Sequence, residues 1–449
     1  MAQKLVILGA GESGTGAAIL AKQTGYQVFL SDQNPIKPAF LEKLEAAGIH
    51  YESGCHSMER ILDADLIVKS PGIPEKSELM QAVRQKGIPV IGEIEFGYRY
   101  AGPCTIVSIT GSNGKTTTTH LTYHILKWAG KNVREAGNIG LSFAEMVAGD
   151  IQSGADRDDS RVFVLETSSF QLDDIQSFRP NVALLLNITP DHLDRYGYQM
   201  ENYIQAKFRI TMNQRPGDLF ITNADDPNIQ NYLRENPDWV QCERAQVHAA
   251  DIRGGYVRVS GLAFDLASCP LKGPHNYFNA ATAILAALRL EVEPEIIAEA
   301  IYAFTPPPHR LELVAEINGV RYINDSKATN VDSVYYALQA MDRPTVWIVG
   351  GQDKGNNYAP LLPWVESAVK AIVCMGLDNS KIIAAFRHLN KPMFETRSAE
   401  EAVRVAASLA QPGEAVLLSP ACASFDLFKN YEHRGEMFKK AVESLSFTE

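Results

Sequence analysis

Two glycines, a lysine and three hydroxyls stand in the run Thr110-Gly111-Ser112-Asn113-Gly114-Lys115-Thr116, directly after the apolar stretch Thr105–Ile109 and ahead of a helical pattern. A loop of this make-up can turn backbone N–H groups onto β- and γ-phosphates, neutralise them with Lys115 and offer the Thr116 hydroxyl to Mg2+. The full Walker pattern would need glycine where Ile109 stands, which sets this loop apart from the common P-loop families. Further along, Glu166-Thr167-Ser168-Ser169-Phe170-Gln171-Leu172 follows another apolar run, so Glu166 is a candidate Mg2+ ligand. Asn187-Ile188-Thr189-Pro190-Asp191-His192-Leu193-Asp194 places a histidine and two acids after the next such run. Lys207, in Tyr203-Ile204-Gln205-Ala206-Lys207-Phe208-Arg209, sits on a helical pattern and reads by itself as a solvated lysine.

A second glycine loop, Gly9-Ala10-Gly11-Glu12-Ser13-Gly14, fits GxGxxG between a strand and a helix, and Asp32 ends the next strand where a ribose-binding acid would sit. Alone it favours an NAD-dependent dehydrogenase. Its backbone N–H groups and helix N-terminus, however, attract any diphosphate without reading a base.

The elements that must position these groups alternate in the α/β manner. Lys4–Leu8, a helix over 14–24 and a strand over 27–30 make a βαβ start, continued by Leu66–Val68 ahead of Ser70-Pro71-Gly72 and by Ile88–Ile91. Thr105–Ile109, a helix over 116–129, and strands at Val162–Leu165 and Val182–Asn187 form a second set, the strands reading as continuous apolar runs of parallel sheets. The polar stretch Gly149–Arg161 reads as a solvated connection. Thr305-Pro306-Pro307-Pro308 cannot continue a helix and marks a linker. Beyond it, three apolar strands lead into Gly350-Gly351, Gly376 and Ser419-Pro420, which sets a ligand-binding edge at their carboxyl ends. The expected domains are therefore 1–101, 102–305 and 306–449.

A chain of 449 residues with 45% hydrophobic composition can bury several cores. Its formal charge of -11 disfavours a sequence-independent nucleic-acid binder. The first residues lack the pattern of a signal peptide, and no stretch is long and apolar enough to span a bilayer. Cys55, Cys104, Cys242, Cys269, Cys374 and Cys422 show no CxxC pairing, which suits a reducing cytoplasm.

The ordered set TGSNGKTT, ETSSFQL, NITPDHLDRYG, AKFRI, GPHNYFNAATA, PPPHRLE, NDSKATN, GGQDKG and SPACASFDLFKNYEHRG resembles the Mur ligases, most of all the glutamate-adding branch. With the first glycine loop and Ser70-Pro71-Gly72, the resemblance covers nearly the whole chain. It implies an α/β protein of three domains: a Rossmann-like UDP-binding domain, a central P-loop ATPase domain with a parallel sheet, and a C-terminal Rossmann-like domain. It also implies ATP-dependent addition of D-glutamate to UDP-N-acetylmuramoyl-L-alanine through an acyl phosphate, in peptidoglycan synthesis, by a cytoplasmic monomer.

By motif match, Gly111, Ser112, Asn113, Gly114, Lys115, Thr116, Thr117, Asn276, Asn279, Arg310, Asp325 and Lys327 are implied to contact ATP. Ser13, Gly14, Asp32, Ser70, Gly72 and Asn138 would receive the UDP substrate; Thr329, Lys354, Ser424 and Tyr431 the amino acid. Tyr431 reads equally well as an aromatic packed on a helix. Two Mg2+ sites are implied, Thr116 and Glu166 serving one, and His192 with a CO2-derived carbamate on Lys207 serving the other. Lys115, His192 and Lys207 would be catalytic. The resemblance further implies a third domain that swings about the proline run to enclose ATP and glutamate. Folylpolyglutamate synthase uses a similar phosphate loop but does not account for the first glycine loop. A dehydrogenase accounts for that loop but not for Lys115, Glu166, His192, Lys207 and Lys327.

Overall fold

The computed structural model describes residues 2–271, 273–353 and 355–445. Leu5, Val6, Ile7 and Leu8 are all buried, as a continuous apolar strand must be when helices cover both faces of its sheet. That strand, β1 (Lys4–Leu8), pairs in parallel with β2 (Gln27–Asp32) and β4 (Leu66–Lys69); β3 (His50–Ser53) and β5 (Val90–Gly92) complete the order β3-β2-β1-β4-β5. Strand order reverses between β1 and β4, where such sheets receive ligands. Gly9 and Ser70 directly follow these two strands.

A second sheet is parallel throughout: β6 (Thr105–Thr110), β7 (Val133–Gly137), β8 (Val162–Glu166), β9 (Val182–Leu185), β10 (Leu219–Asn223) and β11 (Glu243–Val247), in the order β11-β10-β9-β6-β8-β7. Because β8 and β9 flank β6, the phosphate loop, the turn at Glu166 and the segment from Asn187 to Asp194 leave one edge together. A small antiparallel sheet of β12 (Ile252–Arg253), β13 (Tyr256–Val259) and β14 (Leu262–Asp265) follows. The third large sheet holds β15 (Glu312–Ile317), β16 (Val320–Asn324), β17 (Thr345–Val349), β18 (Val369–Met375), β19 (Met393–Thr396) and β20 (Ala415–Leu418). Its order is β15-β16-β20-β17-β18-β19, parallel except for the edge strand β15.

Met1–Ser268 with Phe278–Phe304 form one compact unit, and Cys269–Tyr277 with Thr305–Glu449 another. Within the first unit, helices Glu12–Gln23 and Phe143–Ser153 join the first two sheets in one core that includes Leu5, Ile7, Phe143 and Phe163. Their approach is close enough that a Cβ at Gly16 would strike the Ser142 hydroxyl.

Two expectations fail locally. Gly149–Ser153 is the end of helix Phe143–Ser153 rather than a solvated loop. Its Asp150 is buried between Arg134 at 2.7 Å and Arg161 at 2.8 Å, and Arg161, 0% exposed, also donates to the carbonyls of Ala101, Pro103 and Asp156. Charged composition suggested solvent, but buried charges persist when paired and hydrogen-bonded. Strand β9 stops at Leu185, and Asn187 turns to the phosphate loop instead. Among the described residues no helix is long and apolar enough to cross a membrane, and all six cysteines are free.

Candidate active site

The phosphate loop needs its glycines. Gly114 has φ +85°, and a Cβ there would come within 2.5 Å of Asn279 Oδ1, so only a bare backbone fits beside that amide. Helix Lys115–Trp128 starts at the next residue and presents its N-terminal turn, the natural seat for an anion. Asn187 clasps the loop: its Oδ1 accepts the Asn113 N–H at 2.8 Å, its Nδ2 donates to Asn113 O at 3.0 Å, and its carbonyl takes the Ser112 N–H. The Ser112 hydroxyl donates to Thr189 O at 2.9 Å. The Ser112 and Asn113 N–H groups thus hold the loop itself.

Two lysines converge on one carbonyl. Lys115 Nζ donates to Gly111 O at 2.8 Å and Ser112 O at 2.9 Å, and Lys207 Nζ donates to Gly111 O at 2.8 Å. Lys207 is 1% exposed and lies over the Tyr203 ring, so its reading as a solvated lysine is wrong. The helical pattern located it on Met200–Phe208 but not on which face of that helix. Burial first, and the charge of Lys115 second, hold its amine well below the usual lysine range; the carboxylates of Asp191, Asp173 and Glu166 pull the other way.

Glu166 ends β8 and is 2% exposed. Its Oε1 accepts from Asn138 Nδ2 at 2.9 Å, while Oε2 is buried with no hydrogen-bond partner. An orphaned carboxylate oxygen is costly unless a cation or donor completes it, and this one suits Mg2+. Thr116, in the first turn of the neighbouring helix, is also buried. His192 has a left-handed backbone at φ 54°, sits 3.5 Å from Asp191 and packs its half-exposed ring on Phe170.

At the first crevice, Gly14 packs so closely on the Gly9 carbonyl that no side chain fits there. Asp32 accepts the N–H groups of Ala10 at 2.7 Å and Asn34 at 2.8 Å, so its carboxylate shapes the loop. Ser13 lies in the opening turn of helix Glu12–Gln23, and Ser70 lines the other side of the crevice against Gly9. Arg195, from the segment after Asp194, donates to Pro71 O at 2.9 Å and Gly72 O at 3.3 Å, tying that turn to the second sheet's edge. Sequence reasoning missed Asn187 and Arg195 as functional residues. Both lie inside the NITPDHLDRYG run, but nothing in residue type said that they hold loops rather than ligands.

In the second unit, Asp325 follows β16; it accepts from the Ser419 hydroxyl at 2.7 Å and the Leu311 N–H at 3.2 Å. Burial pushes its carboxyl up to about 7, against the pull of Ser419 and of Arg310. Lys327 Nζ lies 3.9 Å over the ring of Tyr431, so that aromatic carries a cation as well as packing on its helix. The Thr329 N–H donates to Lys327 O, Ser424 is 2% exposed on the loop after β20, and Asn276 stands in the first turn of helix Pro274–Arg289. Lys354 lies outside the described residues.

Three family models match in chain order: the MurD-like N-terminal domain of Mur ligases over 3–92, the Mur ligase middle domain over 109–287 and the Mur ligase glutamate ligase domain over 309–422. The chain is a Mur ligase. It is 48% identical to the UDP-N-acetylmuramoylalanine--D-glutamate ligase of Christiangramia forsetii, over 99% of this chain and all of that one. The enzyme of the same name from Bacteroides fragilis is 46% identical over the same share of each. Among solved structures, the UDP-N-acetylmuramate-alanine ligase of Thermotoga maritima shares this Mur ligase fold with a TM-score of 0.60 at 19% identity, covering 99% of this chain and 100% of that one.

Proposed function

We propose that this Mur ligase joins D-glutamate to UDP-N-acetylmuramoyl-L-alanine, with conversion of ATP to ADP and phosphate, in peptidoglycan synthesis. The observation that carries the reading is identity of 48% along essentially the full length of a relative bearing that name. The domains 1–101, 102–305 and 306–449 then bind the UDP substrate, ATP and the amino acid in turn, and the enzyme acts as a cytoplasmic monomer.

The difficulty in such a reaction is to bring a carboxylate, a triphosphate and an amine together against charge repulsion. The Lys115–Trp128 helix terminus and Lys115 receive the phosphates, supported by Asn279 beside Gly114. Mg2+, when bound, would supply positive charge that stabilises the transferring phosphoryl group. Glu166, through its orphaned Oε2, and Thr116 would hold one ion; His192 and Lys207 would serve a second. Lys207 is buried with the Gly111 carbonyl and the Tyr203 ring as its direct contacts, and its segment matches those in which the lysine amine adds CO2, losing a proton to become an anionic carbamate. Lys115 stabilises the phosphoryl group as it passes to the substrate carboxylate; the amine of glutamate then attacks the acyl carbon and phosphate leaves.

Arg310, Asp325, Lys327 and Asn276 take the ATP-contact roles, Ser13, Gly14, Asp32, Ser70 and Gly72 receive the UDP part, and Thr329, Lys354, Ser424 and Tyr431 hold glutamate. Hydroxylamine tests the activated acyl group: with ATP, Mg2+ and UDP-N-acetylmuramoyl-L-alanine but no amino acid, a substrate hydroxamate should form. Its absence from an enzyme that turns over glutamate would reject the acyl-phosphate route.

A further inference from the structure

Arg434, on helix Tyr431–Leu445, is 1% exposed and forms no ion pair among the described residues. A buried guanidinium without a carboxylate must satisfy its donors elsewhere, and this one does so on three loops at once. Nε donates to Ser326 Oγ at 3.0 Å and Nη2 to Ser326 O at 2.9 Å; Nη1 donates to Cys422 O at 3.1 Å and Gly350 O at 3.4 Å. Ser326 in turn donates its hydroxyl to Tyr431 O at 2.8 Å.

These acceptors are not scattered. Ser326 separates Asp325 from Lys327 after β16, Gly350 begins the loop after β17, and Cys422 stands two residues before Ser424 after β20. The strands β16, β20 and β17 are neighbours in that order, so Arg434 lies where three adjacent loops leave one sheet edge. The loops after β16 and β20 carry the described residues assigned above to ATP (Asp325, Lys327) and to glutamate (Ser424). The loops after β17 and β20 are also joined to each other, through Gln352 with Ala423 and Asn356 Nδ2 with Ala421 O.

We propose that Arg434 is a positioning residue that sets the ATP-contacting and glutamate-contacting loops in register with one another. The role rests on the reaction assigned above. A planar fork of donors fixes both distance and orientation among its acceptors, which the single ammonium of lysine cannot do. A buried arginine that merely staples the fold would make a different prediction: its loss would reduce the folded fraction, and with it kcat, without selecting among substrates.

The test compares the wild type with Arg434→Lys, Arg434→Ala and the milder Ser326→Ala, by melting and by KM for each of the three substrates. For folded variants the KM for ATP and for D-glutamate should rise together, about 10- to 100-fold for Arg434→Lys and less for Ser326→Ala, while the KM for UDP-N-acetylmuramoyl-L-alanine stays unchanged. Guanidinium ion at low millimolar concentration should partly restore Arg434→Ala and not Lys115→Ala. Loss confined to kcat, or an equal rise in all three KM values, would overturn the role. Should the Arg434 variants fail to fold, Ser326→Ala decides by the same pattern, and unchanged KM values there overturn the proposal. Wild-type turnover reads the reaction separately: its absence rejects the reaction and the role with it, whereas normal wild-type turnover with unshifted variants rejects the role alone.

Discussion

The side-chain amide of Asn138 donates to Glu166 Oε1 at 2.9 Å and leaves Glu166 Oε2 buried without a partner. Sequence motif assigned Asn138 to the UDP substrate and Glu166 to Mg2+; the contact makes the first the orienting group of the second. Outer partners of metal ligands typically contribute 10- to 100-fold in metal affinity. Asn138→Ala should therefore raise the Mg2+ concentration for half-maximal phosphate release by about that factor. An unchanged Mg2+ requirement would remove Asn138 from that role.

Lys115 and Lys207 both donate to the carbonyl of Gly111, yet only Lys207 is fully enclosed. Lys207→Ala should lower kcat by about 10²- to 10³-fold, in the range seen when one transition-state-stabilising group is lost. Formate or acetate should restore part of that rate by supplying the missing anionic oxygens, and should do nothing for Lys115→Ala. Failure of both anions to restore any activity would count against a carbamate at Lys207.

Glu93 opens helix Glu93–Tyr100, accepts the Ala144 N–H at 2.6 Å through Oε1 and has an Oε2 with no partner. Burial pushes its carboxyl up to about 7, opposed by the N–H groups of Ala144 and Phe143. The folded chain thus holds this proton more tightly than the unfolded chain does. The stabilisation is complete below about pH 4.5 and is lost as pH rises towards 7, an effect of roughly 3 kcal/mol. Glu93→Gln has no proton to lose, so its melting temperature relative to the wild type should climb between pH 5 and pH 8. Parallel pH profiles for the two proteins would contradict this.

Much of the architecture was legible because parallel strands announce themselves as apolar runs and glycine loops mark the turns that follow them; β1, β6, β8 and β17 all lie where those runs placed them. What stayed hidden depends on contacts between distant segments. Lys207 read as solvated because a helical pattern does not name the face that is buried. Asp150 and Arg161 read as a polar loop because their burial depends on partners elsewhere in the chain, Arg134 for the first and the carbonyls of Ala101 and Pro103 for the second. Asn187 and Arg434 sat in plain view within motifs, yet their work is to hold loops, and neither spacing nor residue type reveals which carbonyl a side chain will reach.

The decisive measurement is phosphate release from ATP and Mg2+ with UDP-N-acetylmuramoyl-L-alanine, offering D-glutamate, L-glutamate and other amino acids in turn. Release coupled one-for-one to a product heavier by one glutamate residue, with D-glutamate preferred, is the result expected. No turnover with any amino acid, or turnover that ignores the UDP substrate, would contradict it.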